Sequence, residues 1–283
     1  MKTKNLLKYL MVAAAIGVLF TACKKEKDEP EVVDSDTSGA ADNALAESSF
    51  NDASNISDQA AAGNLTSYLS ANNGSDERGL LSTCATITHD TTANPRTIIV
   101  DFGTTNCLCS DGRYRRGIIN VSYSGHYRDS ASTHTITFTN FFVNNNQVTG
   151  SHSVTNNGHN NNGHLTFTIT VSGSIIKPNS GGTISWTSNR VREWSEGEST
   201  AIWSDDVYLI TGTASGSHSN GNSFSATITS ALKVKMNCHW IVSGGLNLVP
   251  SGKPTRAIDW GAGTCDDQAT VTINGHVYNI TLH

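Results

Sequence analysis

Charge is scarce in this 283-residue chain: Asp, Glu, Lys and Arg together make up 15%, with a formal net charge of -5. A binder that holds nucleic acid by neutralising phosphates needs a basic surplus, so that class is excluded. Long apolar runs are equally scarce. One run of 12 residues, Tyr9–Phe20, stands near the start, and nothing after it approaches the ~18 apolar residues of a spanning helix.

Catalytic signatures are missing too. Gly252-Lys253 cannot close a phosphate loop, because Asn247 stands where the first glycine belongs and Pro254 where a magnesium-binding hydroxyl belongs. There is no Gly-x-Ser-x-Gly elbow. His152, His159 and His164 lie seven and five residues apart in a loop of Asn and Gly, without the fixed geometry that a metal requires. Asp205-Asp206 and Asp266-Asp267 lack the alternating oxygen ligands of a calcium loop. No catalytic residue, metal or cofactor is expected.

What is present begins with a leader. Three lysines fall within Met1–Lys8, the apolar run follows, and Phe20-Thr21-Ala22 precede Cys23. This is the plan of a lipoprotein signal peptide over residues 1–22, with Cys23 becoming the acylated first residue. Residues 23–41 are charged, carry Pro30 and are poor in apolar side chains, which predicts a flexible acidic tether. Over 42–63, Ala46, Phe50, Ala53, Ile56 and Ala60 recur at helical spacing, with Asp42 as a candidate cap and Gly63 as a stop. The stripe is thin and mostly alanine, which suits a helix that lies against the main domain or one that stands alone, partly frayed, as a spacer leading into it or as a partner-binding element. Residues 64–82 are polar and predict a linker.

From residue 83 to 283 alternation replaces the helical period. Thr135–Thr139, Gln147–Val154, Leu165–Val171, Thr183–Trp194, Ala201–Ala214, Ser223–Val242 and Thr270–Leu282 alternate apolar with hydroxyl-bearing residues, and Asn, Gly and Pro punctuate them. The expected fold is all-β: an antiparallel meander of long twisted strands, open or rolled, preceded by one short helix.

The two ends of this domain look duplicated. Cys84, Pro95-Arg96, Asp101-Phe102-Gly103 and Cys107 match Cys238, Pro254-Thr255-Arg256, Asp259-Trp260-Gly261 and Cys265. Val121–His126 likewise parallels Val271–His276. The repeat selects the disulfides Cys84–Cys107 and Cys238–Cys265, in a compartment where disulfides persist. Cys109 is either left over or replaces Cys107 as the partner of Cys84.

Two clusters are candidates for binding. Arg113, Arg115 and Arg116 around Tyr114, with Arg190 and Arg192 further on, could grip an acidic glycan or phosphate, or else brace an exposed strand. Glu193, Glu196 and Glu198 stand near Trp194 and Trp203, a composition that suits sugar binding or hydrolysis and equally a charged hairpin end.

Asp101-Phe102-Gly103, Asp111-Gly112-Arg113, Arg115-Arg116-Gly117, Trp194 with Glu196-Gly197-Glu198, Asp205-Asp206-Val207-Tyr208, Trp240–Gly244 and Gly263-Thr264-Cys265-Asp266 carry a resemblance. The chain resembles uncharacterised surface-type lipoproteins of Bacteroidota over nearly all of residues 84–283. The lysines and acids after Cys23 resemble the export signal of such lipoproteins. The resemblance implies a lipid-anchored location on the outer membrane, exposed at the surface, and implies no activity. The expectation is therefore an anchored, non-enzymatic structural or ligand-binding β domain, whose partners are the membrane and a surface glycan or protein. The alternative is an extracellular polysaccharide-binding or polysaccharide-hydrolysing protein.

Overall fold

Alternation of side chains sets the architecture. Leu165, Phe167, Ile169 and Val171 are buried, while the threonines between them are not. A strand with one apolar and one hydroxyl face must lay the first against a partner and can leave the second in water. The structure, a computed structural model, describes residues 34–61, 85–200, 202–238 and 240–281, with Trp203 described by its backbone alone.

The strands are β1 (Thr86–Asp90), β2 (Arg96–Asp101), β3 (Cys107–Leu108), β4 (Tyr114–Tyr123) and β5 (Thr133–Val143). Next come β6 (Asn146–His159), β7 (Leu165–Ile176), β8 (Thr183–Glu196), β9 (Val207–His218) and β10 (Ser223–Lys235). Last are β11 (Ile241–Pro250), β12 (Arg256–Ala262), β13 (Gln268–Ile273) and β14 (His276–Thr281). All join one 14-stranded antiparallel sheet in chain order, except that β3 sits beside β4 off the main path. The sheet is open, with β1 and β14 as its edges.

Two expected runs divide. Ser223–Val242 breaks between β10 and β11, where Met236 and Asn237 turn and Cys238 is tied to Cys265. Thr270–Leu282 breaks at Asn274-Gly275, both at positive φ (50° and 82°), the backbone of a tight hairpin turn. The stretch expected as Ala201–Ala214 starts its strand only at Val207, after a 3-10 turn over Trp203–Asp205.

The helix α1 spans Ser38–Ala61 and lies against the main domain instead of standing apart as a spacer. It lies on the inner face and contacts β2 and every strand from β4 to β11. Ala46, Phe50, Ala53, Ile56 and Ala60 are each at most 1% exposed. The alanines that made the stripe look thin are what allow a curved sheet to close around a helix. The sheet yields space in return: a Cβ on Gly173 would lie 2.5 Å from the Phe50 ring. Curvature itself comes from bulges. At Gly117 (φ 86°) the β4–β5 register shifts, and a Cβ there would stand 1.9 Å from the Asn140 carbonyl oxygen.

The helix begins earlier than Asp42, and its start is fastened to the sheet. Asp36 accepts the Ser38 backbone N–H at 2.9 Å and pairs with Lys253, while Arg256 donates to its carbonyl at 3.0 and 3.1 Å. Helix and sheet belong to one unit, Asp36–His283, so the expected tether of residues 23–41 gives way at Asp36. Cys23, the leader and the linker over 64–82 lie outside the described residues. Among the described residues, no helix is long and apolar enough to cross a membrane.

The duplicated motif occupies matching places. Asp101 ends β2 and accepts the Gly103 N–H at 2.7 Å; Asp259 in β12 accepts the Gly261 N–H at 2.7 Å. Both glycines sit at nearly the same positive φ, 76° and 77°. The copies differ in register: Val121 pairs with Ile98, whereas Val271 pairs with Ile258. Cys238 and Cys265 form a disulfide, closing a loop that contributes roughly 3 kcal/mol in the chain-entropy view. Cys107 is disulfide-bonded and Cys109 is a buried free thiol; Cys84 lies outside the described residues.

Candidate functional site

Each basic and acidic cluster singled out in the sequence now has a place. Arg115 is fully buried and donates to Asp52 of α1 through Nε and Nη2 at 2.9 and 2.5 Å, and to Asp111 at 2.8 and 2.6 Å. Arg113 reaches the same Asp52 at 3.2 Å. Arg116 donates to Asn106 and Asn145 and lies over the Phe142 ring at 3.7 Å. These three arginines hold helix and loops to the sheet rather than presenting an open patch, because a buried guanidinium must have its donors satisfied.

The glutamates are likewise engaged away from any common centre. Glu193 pairs with His164 at 2.6 Å, Glu198 with His159 at 2.8 Å, and Glu196 with Lys233 at 3.3 Å. Trp194 is buried (5% exposed); of Trp203, only the backbone is described.

The feature that does gather chemistry is a cavity of about 610 Å³ beside the last two turns of α1, Asn55–Ala61. Ile98, Ala61, Ile202 and Met236 supply apolar wall, and Tyr123, Tyr127, Trp194 and Tyr208 supply aromatic wall. Asp58, Asp206, Arg128 and Arg192 supply charge, with His126 and His134 nearby.

Parity explains why Arg192 points here. On β8 the even-numbered residues Ile184, Trp186, Ser188, Arg190 and Trp194 are buried, whereas Val191 is 42% exposed. Arg190 and Arg192 therefore face α1, on the same side as the tryptophans. Arg190 finds Glu47 of the helix at 3.1 Å. Among the described residues Arg192 finds only rings, lying 4.9 Å from Tyr208, 5.2 Å from Phe167 and 5.7 Å from Tyr127. Its Nε is buried with no hydrogen-bond partner, as is the Tyr127 hydroxyl.

The carboxylates differ in support. Asp206 is 6% exposed, accepts the Trp194 indole N–H at 3.1 Å and sits 3.5 Å from the Tyr208 hydroxyl. Burial pushes its carboxyl up to about 6, against the opposing pull of the Trp194 bond and Arg128. Asp58 makes no hydrogen bond or ion pair among the described residues. Loss of water pushes it up to about 6 as well, and the Arg192 charge draws it partly back. Burial raises the Tyr208 hydroxyl and lowers the His134 imidazole, whose Nε2 stands 3.1 Å from the Gly125 carbonyl. Arg128 covers the face of Trp194 at 4.4 Å and donates to the Glu198 carbonyl at 2.8 Å.

Aromatic and apolar walls with a few convergent charges are the usual make-up of a small-molecule site, and the volume lies in the usual range of roughly 300–1,000 Å³. Among the described residues, no group of three or more His, Cys, Asp or Glu side chains converges as metal ligands. The sequence reading placed Trp194 near the centre of interest but missed Asp58, Asp206, Tyr127, Tyr208 and His134. The parity of β8 is the available signal for Arg192, a charged residue in register with buried tryptophans on an inward face, whereas nothing comparable marks the others, which lie on α1, β5, β9 and the loops before β5 and β9. No family model matches the chain, and neither does any curated protein or solved structure.

Proposed function

We propose that this chain is a lipid-anchored lipoprotein of the bacterial outer membrane whose β domain holds a small molecule in the cavity at the C-terminal end of α1. It acts by binding, not by catalysis. The leader and Cys23 supply the anchor, and the cavity supplies the activity. The observation that carries the reading is a roomy cavity beside the last described turns of α1, which collects four charged side chains and four aromatic ones.

Hydrolysis of a polysaccharide draws less support. The glutamates expected for it are paired with His164, His159 and Lys233 on the sheet. The Trp194 ring has Arg128 across its face, which leaves it poorly placed to stack on a sugar.

The test uses the full chain with Cys23→Ser, purified from the soluble fraction. Titration with the amphiphilic dye 1-anilinonaphthalene-8-sulfonate should reveal one saturable site with energy transfer from tryptophan. In parallel, the unaltered chain should fractionate with the outer membrane and the Cys23→Ser chain should not. Absence of a saturable dye site would overturn the cavity reading, and membrane retention of the Cys23→Ser chain would overturn the anchor.

A further inference from the structure

Polar side chains along α1 reach toward the sheet, and most of them are answered there, Asp42 by Lys177. Asn43 accepts the Trp186 indole N–H at 3.0 Å, Glu47 takes Arg190, and Asp52 takes Arg113 and Arg115. Asp58, by contrast, faces the cavity without a partner among the described residues. Arg192 mirrors it from β8. Among the described residues it makes neither hydrogen bond nor ion pair, and it feels Asp58 across a gap too wide for direct contact.

A guanidinium and a carboxylate left apart in a desolvated space are costly unless something bridges them. A purely anionic ligand would satisfy Arg192 and be repelled by Asp58. A purely cationic one would do the reverse. A molecule carrying both charges answers both, and its apolar body finds Ile98, Met236 and the edges of Tyr127 and Tyr208.

We propose that the cavity binds a small apolar zwitterion, an α-amino acid or short peptide, with its carboxylate on Arg192 and its ammonium on Asp58. The guanidinium fork suits a carboxylate, and the buried Tyr127 hydroxyl offers a further donor beside it. Ion pairs formed here are shielded from water, so removing either ligand charge should weaken binding sharply. This assignment rests on the cavity being a binding site.

The experiment is calorimetric titration of the Cys23→Ser chain with phenylalanine and with the dipeptide leucyl-phenylalanine, which separate the free amino acid from the peptide as source. N-acetyl-phenylalanine lacks the ammonium, and phenylalaninamide lacks the carboxylate. At least one zwitterion should bind with 1:1 stoichiometry, and each blocked form should bind at least tenfold more weakly than phenylalanine. Asp58→Asn should erase the discrimination against the N-acetylated form, and Arg192→Gln the discrimination against the amide. Circular dichroism confirms that each variant is folded, and if Arg192→Gln is not, the blocked ligands on the parent chain already decide. Blocked forms that bind as tightly as phenylalanine would overturn the proposal. So would failure of both zwitterions on a chain that still takes up the dye, an outcome that leaves the cavity reading standing. Loss of dye binding as well would remove both.

Discussion

The two ends of α1 meet the sheet differently. At the N-terminal end, Asp36 pairs with Lys253, Asp42 with Lys177 at 2.5 Å, and Gly39 sits against Leu248 and Phe224. Every one of those charges has a partner, and the apolar surfaces touch. At the C-terminal end, Asp58 and Arg192 face a cavity unpaired among the described residues, and burial pushes the Asp58 and Asp206 carboxyl groups up to about 6. The same helix and the same sheet thus build a closed joint at one end and an unsatisfied one at the other. A chain under selection for stability alone has no use for the second, so the difference assigns scaffold to one end and binding to the other.

The largest break should come in the middle, where the joint is tightest. Asp52→Ala leaves Arg115 buried with Asp111 as its only carboxylate, and should cost about 3 kcal/mol in urea unfolding. Acid should act on the same region. His152 is buried, donates its Nδ1–H to the Phe50 carbonyl (3.2 Å), and its pKa is lowered by burial from 6.5 to about 4. A folded pKa below the unfolded one means that the unfolded chain takes up the proton first. Stability is therefore full above pH 6.5 and falls as pH drops from there toward 4, on the order of 3 kcal/mol for this group. His152→Gln should flatten that part of the stability profile.

The smallest effect has the opposite sign. Asp58 has a folded pKa of about 6 against 3.8 unfolded, so its contribution is full below 3.8 and is lost as pH rises through 6. At pH 7.5 Asp58→Asn should therefore stabilise the ligand-free protein, by about 1 kcal/mol or roughly 2–4 °C in Tm. By pH 4.5 most of that gain should vanish. A matching change at the filled end, Asp42→Asn, should only destabilise.

Much of the fold was legible because its signals are local. Alternation in Leu165–Val171 gives a strand and its faces, and the Asn144-Asn145 turn gives a hairpin whose two residues indeed sit at positive φ, 47° and 65°. The duplicated Asp-aromatic-Gly motif located two equivalent turns. What escaped is what depends on distant partners. The alanine stripe of α1 looked weak because helical pattern alone cannot say that a sheet will wrap around it. The cavity was illegible for the same reason: Asp58, Tyr127, Arg192 and Asp206 are spread over 148 residues and meet only through the meander. Arg113, Arg115 and Arg116 misled because a cluster in sequence suggested a surface patch, whereas alternation sends Arg115 inward to Asp52 and leaves Arg116 on the outer side with Asn145.

One matched pair of substitutions tests the contrast between the two ends most directly. Ile98 and Ile175 are both at most 1% exposed, but only Ile98 borders the cavity. Ile98→Phe should grow into open space, leave Tm within about 2 °C and weaken dye and phenylalanine binding together. Ile175→Phe should overpack the closed region, cost about 1–3 kcal/mol and leave binding intact. Equal destabilisation by both, with undiminished binding in Ile98→Phe, would contradict the account.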